Sequence, residues 1–132
     1  MIFLQNDIVA HLKTLTYSYD VTIRPSNSKL TPVYPLVIID EIDNSVKQAI
    51  HGEEKYSNVA YQIDIFTKDM YPSSASTVGS NIASTISNEM QTHYGLLRQN
   101  LTNLPDVNDD TINRITMRFT GILDPINEII YQ

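Results

Sequence analysis

Residues 59–92 read VAYQIDIFTKDMYPSSASTVGSNIASTISNEMQT, and the hydrophobic period of this stretch changes once within it. Val59, Tyr61, Ile63 and Ile65 alternate against Ala60, Gln62 and Asp64, the two-residue repeat of a strand with two unlike faces. That repeat predicts a long antiparallel strand. Pro72-Ser73-Ser74 then supplies a helix start. Ala75, Val78, Ile82, Ile86 and Met90 follow on one stripe, with Ala83 alongside and Gly95 as the stop. Ser80, Asn81, Ser84, Ser87, Asn88 and Gln91 lie between the stripe positions. They make an outer face that is polar with few charges, suited to water or to a neighbouring surface.

On the N-terminal side, residues 3–16 place Leu4, Ile8, Leu12 and Leu15 at helical spacing with Val9 beside them, which predicts an amphipathic helix of about four turns. Tyr17, Tyr19, Val21 and Ile23 alternate as a short strand up to the turn chemistry of Arg24-Pro25-Ser26-Asn27-Ser28, and a loop runs on to Pro32 or Pro35. From Tyr34 to Ile42 the apolar residues are nearly continuous. This matches a strand covered on both faces, expected at the centre of the sheet. Residues 45–54 are weakly patterned and read as a connection. On the C-terminal side, Leu97, Gln99 and Leu101 alternate before Leu104-Pro105-Asp106, and Ile115, Met117 and Phe119 alternate after it. These segments predict a hairpin whose acidic connection, Asp106-Val107-Asn108-Asp109-Asp110, projects as a loop tip. The tail from Gly121 carries Ile126, Ile129 and Ile130 as either a docked terminal turn or an extended arm over 125–132. The whole predicts one α+β domain over 1–132, in the order α-β-β-β-α-β-β. A mixed, largely antiparallel sheet of four or five strands packs against two main helices.

Composition narrows the chemistry. The 132 residues are 42% hydrophobic, with 15 acidic against 9 basic residues and a net charge of −6. This field opposes tight nonspecific binding to DNA or anionic lipid. The absence of cysteine removes disulfides, thiolate catalysis and Cys-ligated metal centres. Eight Tyr and no Trp point to an aliphatic core, with tyrosines where one edge stays wet. The start, Met1-Ile2-Phe3-Leu4-Gln5-Asn6-Asp7, has no signal-peptide character, so no export is expected. The longest apolar run, Pro35 to Ile39, falls far short of the ~20 residues of a membrane span. The sequon Asn100-Leu101-Thr102 reads as ordinary strand or loop residues.

The side chains that carry chemistry are scattered. His11, His51 and His93 stand about forty residues apart, and none lies in a His-Glu-x-x-His pattern. His93, in the last turn of the second helix, suits a cation at the negative end of the helix dipole, as does His11 in the first helix. There is no Gly-x-Ser-x-Gly elbow, and Gly52, Gly79, Gly95 and Gly121 are isolated, which excludes a glycine-rich phosphate loop. Asp106, Asn108 and Asp110 alternate like calcium ligands, but Thr111 replaces the required glycine and Met117 the bidentate glutamate. No catalytic residue, metal or cofactor is expected. Arg98, Arg114 and Arg118 make no nucleic-acid groove, although a ring of subunits would multiply each of them around its opening.

Several segments carry a pattern of their own: Pro35-Leu36-Val37-Ile38-Ile39-Asp40-Glu41, Gly52-Glu53 ahead of Tyr61-Gln62-Ile63-Asp64-Ile65-Phe66, and the helix followed by Tyr94-Gly95-Leu96-Leu97-Arg98. Ile115-Thr116-Met117-Arg118-Phe119-Thr120-Gly121-Ile122-Leu123-Asp124 and Ile130-Tyr131 complete the set. In this order they resemble the tail terminator, or tail completion, proteins of long-tailed bacteriophages. The resemblance covers the chain from about residue 30 onward, and the first helix agrees in position. It implies a structural virion protein, not an enzyme, assembled in the host cytoplasm and residing in the tail or neck. It implies a hexameric ring on the head-proximal end of the tail tube that ends tube polymerisation and docks the head connector or stopper protein. The implied partners are other copies of the chain, the tail tube protein and the connector, with DNA as transiting cargo and no membrane.

On that reading Arg98, Arg114, Arg118, Asp106, Asp109, Asp110, Ile126, Ile129 and Ile130 are the assembly-contact candidates. The loop from Arg24 to Pro32 and the connection from Asn44 to Glu54 join them. Other readings are a different phage neck or minor tail component of related fold, or a host-side binding adaptor without a ring. A small hydrolase would need a closed pocket holding a histidine and a carboxylate at reactive distance.

Overall fold

The structure is a computed structural model that describes residues 4–17, 19–25, 33–50, 53–69, 74–105, 111–124 and 129–131. Its elements run α1 (Leu4–Lys13), β1 (Thr22–Pro25), β2 (Leu36–Ile50), β3 (Glu53–Thr67), α2 (Ala75–Thr92), β4 (Leu97–Pro105), β5 (Asn113–Asp124) and β6 (Ile129–Tyr131). The strands form one sheet in the order β1-β2-β3-β5-β4, and β6 pairs with β5. Among the described residues β1 and β2 run parallel, and the other pairings are antiparallel. The predicted α+β class, with two helices and a mixed, mostly antiparallel sheet, is the class observed.

The alternation on β3 divides the sheet into two unlike faces. Val59, Tyr61, Ile63 and Ile65 are buried with Ile115, Met117 and Phe119 of β5 and Val37 and Ile39 of β2. Against them pack Val78, Ile82, Ala83, Ile86 and Met90 of α2 and Ile8, Val9 and Leu12 of α1. Both helices therefore lie on one face of the sheet. Ser74 caps α2, its Oγ accepting the Thr77 N–H at 3.3 Å, while Asp69 Oδ1 accepts the Ala75 N–H at 2.7 Å. At the other end, Gly95 takes a left-handed φ of 69°, and the Leu96 N–H closes on the Met90 carbonyl at 3.1 Å. At Gly79 the backbone of α2 comes close against β3 and β5. A Cβ there would stand 3.0 Å from Ile115 Cδ1, 3.2 Å from Thr67 Oγ1 and 3.3 Å from Asn113 Nδ2.

Several boundaries differ from the sequence reading. Regular helix in α1 ends at Lys13 rather than residue 16, and the chain tightens through the Thr14 N–H to His11 carbonyl bond at 3.0 Å. Tyr17, Tyr19 and Val21 pack against the core without belonging to a strand; β1 begins only at Thr22, whose N–H donates to the Pro35 carbonyl at 2.9 Å. The Tyr17 hydroxyl instead donates to the Leu12 carbonyl at 2.7 Å, so the tyrosine folds back on α1. β2 is an interior strand, but β3 occupies the middle of the sheet. The predicted connection over 45–54 is a continuation of the β2–β3 hairpin, paired from Ser45↔Asn58 to Ile50↔Glu53 with register shifts after Glu41, Val46 and Gln48. Each bulge reverses the alternation of side chains, which erases the period-2 signal in that stretch.

The tail is strand, at least in part. Gly121 to Asp124 extend β5, and β6 pairs back through Ile122↔Tyr131, Leu123↔Ile130 and Asp124↔Ile129. Because β3 occupies the opposite edge of β5 as far as Leu123, β6 lies on the β4 edge, beyond the last β4 pair at Thr120. Gly79→Val tests the close approach of α2. Valine is the better helix former, yet its branched side chain meets Ile115 and Thr67, and the variant is expected to lose about 1–3 kcal/mol in urea unfolding.

Candidate functional site

The helix layer is narrower than the sheet. α1 packs over β1 and β2, α2 over β3 and β5, and only the edge of α2 reaches β4. A cleft of about 370 Å³ is left beside α2, lined by Ser80, Ala83, Ser84, Ser87, Asn88, Gln91, Arg98, Leu101, Asn103 and Ile115. Its wall is the uncharged polar face of α2; its floor is Leu101, which pairs with core-facing Met117 yet remains 45% exposed. Ser87 is buried between them, and its Oγ accepts from Arg98 Nη1 at 3.2 Å and from Gln91 Nε2 at 3.3 Å. Arg98 is thereby drawn across one end of the cleft. The register shift between Arg98 and Asn100 places Leu97 opposite Thr120 on the other face of the sheet, so Leu97 and Leu101 do not share a face as simple alternation predicts.

Arg114 and Arg118 lie on the face that carries neither helix, as their spacing on one strand predicts. Arg114 is not an unengaged surface cation. Its Nε and Nη2 donate to Asp64 Oδ1 at 3.2 and 3.1 Å, Thr116 Oγ1 donates to the same oxygen at 2.7 Å, and Gln62 Nε2 donates to Oδ2 at 3.1 Å. Asp64 is 8% exposed, so this is a nearly buried carboxylate satisfied on both oxygens. Arg118 is exposed and lines a shallow depression with Asp43, Asn58, Leu97 and Gln99. The three arginines thus occupy two faces: Arg98 serves the α2 cleft, Arg114 is structural, and Arg118 points outward. Asp106, Asp109, Asp110 and Ile126 lie outside the described residues, as do residues 26–32 and 51–52. Ile129 and Ile130 are placed only by their backbone pairing with β5.

A third group went unnoticed in the sequence. The end of α1 meets the end of α2, where His11 Nε2 stands 2.8 Å from Glu89 Oε1. The rings of His11 and His93 stack with centroids 3.9 Å apart and planes 9° from parallel. Tyr94 stands beside the stack, its ring nearly perpendicular to both imidazoles with centroids 5.5 Å from His11 and 4.7 Å from His93, and its hydroxyl donates to Asp7 Oδ2 at 2.8 Å. One ligand atom from each of His11, Glu89 and His93 lies within 4.8 Å of the other two. Glu89 and His93 are four residues apart at the end of a helix, a spacing legible in the sequence. That His11 joins them depends on how two helices settle on the sheet. Neither the cleft beside α2 nor the depression at Arg118 is lined by these residues.

The same region perturbs two tyrosines. Burial and then the Glu89 carboxylate push the Tyr17 phenol up to about 12. Burial and the bond to Asp7 hold Tyr94 well above the ordinary range. Below pH ~10 both phenols are neutral in folded and unfolded chains alike. Between pH 10 and 12 the unfolded chain releases the Tyr17 proton while the folded chain retains it, so stability falls as pH rises through that window. Urea unfolding at pH 9 and pH 11 is expected to show this loss, and Tyr17→Phe to reduce it. Arg114→Met leaves the Asp64 carboxylate short of two donors and is expected to cost about 1–3 kcal/mol by the same measurement. The chain matches no protein-family model and no curated protein, so the reading of these sites rests on their geometry and on the sequence.

Proposed function

We propose that the protein is a structural subunit of a bacteriophage tail, the terminator that assembles as a ring on the head-proximal end of the tail tube, stops its growth and offers the surface on which the head connector docks. The observation that carries this reading is the vacancy beside α2. The subunit ends at one side with β4 and an uncovered strip above it, and at the other with β1 and the outer side of α1. Those two sides differ, so copies join head to tail, the arrangement that closes into rings when the rotation allows. In that assembly α1 of the next subunit enters the space over β4, covering Leu101 and the uncharged face of α2. The helix layer then continues from subunit to subunit.

The mechanism is one of shape. One rim of the ring complements the last ring of the tube, while the other lacks the surface that a further tube subunit needs, and polymerisation stops. Arg118, repeated around the ring with Asp43 beside it, offers a charge pattern for docking. Net charge −6 per chain fits DNA that passes without being held. A different neck or minor tail component uses the same closure with another partner on the rim. The hydrolase reading has one feature in its favour, the His11 and Glu89 side chains at 2.8 Å. However, none of the clefts described brings a substrate-sized space to them.

Native mass measurement and negative-stain imaging with purified tail tubes test the proposal. The expected result is six-membered rings seated on one end of the tubes, with tube length held constant when the protein is present during polymerisation. Leu101→Arg, at an exposed position, is expected to preserve the monomer fold and abolish ring formation. Persistent monomers that neither bind tubes nor limit their length contradict the reading.

A further inference from the structure

We propose that His11, Glu89 and His93 bind one divalent ion of the Zn²⁺ class, which bridges α1 and α2. Two imidazoles and one carboxylate form a donor set suited to zinc and its borderline neighbours. Magnesium and calcium favour oxygen ligands. The three ligand atoms already lie within 4.8 Å of one another. A tetrahedral zinc with bonds of about 2.0–2.2 Å holds neighbouring ligand atoms roughly 3.3–3.6 Å apart, so side-chain rotation alone completes the site. His93 is exposed and follows the last helical residue, which leaves it room to turn out of the ring stack. That turn is required, because parallel rings aim their nitrogen lone pairs side by side instead of at a common point.

The rest of the site is held from both helices. The close pair of His11 Nε2 and Glu89 Oε1, at 2.8 Å, shares a proton that an ion replaces while keeping both ligands. Tyr94 stands perpendicular beside both rings, anchored to Asp7 of α1 by its hydroxyl, so the two helix ends are positioned before any ion arrives. A water completes the fourth position. The ion ties together residues that are 78 positions apart in the chain, and its effect is to stabilise the folded subunit.

The test uses the full chain, cleared of metal by a chelator and titrated with ZnCl2 by calorimetry, with thermal unfolding alongside. The proposal expects one ion per chain and a Tm that rises by several degrees at about 100-fold excess over Kd. It expects His93→Ala and Glu89→Gln each to weaken binding by about tenfold or more. His51→Ala is expected to bind as the unaltered chain does, and MgCl2 to leave Tm unchanged. The metal-free Tm of each variant separates loss of a ligand from loss of the fold. Absence of saturable zinc binding, or binding that survives in His93→Ala, overturns the proposal.

Discussion

The packing of α2 onto β3 and β5 is the interaction on which the rest of the molecule depends. Ile63, Ile65, Ile115, Met117 and Phe119 supply one side of the seam, and Val78, Ile82, Ile86 and Met90 the other, all of them buried. Gly79 lets the helix settle close enough for these rows to meet. The period of two on the strands commits the even-numbered residues of β3 and β5 to the opposite face, and there Asp64 gathers Arg114, Thr116 and Gln62 into one satisfied cluster. With α2 fixed over the middle of the sheet and α1 over β1 and β2, β4 is left without a helix above it. The cleft beside α2 follows from that placement.

Much of this was legible in the residues, for identifiable reasons. The strand and helix of residues 59–92 could be read because burial acts on one face of each and imposes its period. Ser74 and Gly95, which bound α2, carry their own backbone chemistry. The outer half of the β2–β3 hairpin is interrupted by register shifts after Val46 and Gln48, which break the two-residue period along the sequence. The residues before β1 misled in the opposite way: Tyr17, Tyr19 and Val21 alternate because they reach the core, although their backbone joins no ladder.

The candidate sites divide along the same line. Arg114 and Arg118 could be placed on a common face from spacing alone, whereas the capture of Arg114 by Asp64 requires the register between β3 and β5. The group of His11, Glu89 and His93 requires more still, since it forms only where two helices distant in sequence lie side by side on the sheet. A zinc ion there would act within one subunit, whatever assembly the subunit enters. The cleft beside α2 has the opposite character, because in the proposed assembly a second copy of the chain completes it.

Cross-linking addresses that completion directly, because the chain has no cysteine and introduced thiols are the only ones present. Asn6 is exposed on the side of α1 turned away from His11 and Asp7, and Leu101 is exposed on the floor of the cleft at the far end of the sheet. The double variant Asn6→Cys, Leu101→Cys should be assembled on tail tubes and treated with a short thiol-specific cross-linker. The account predicts covalent multimers that end in one closed species, joined between residue 6 of one subunit and residue 101 of the next. Rings that bind the tubes but yield no such link would contradict it.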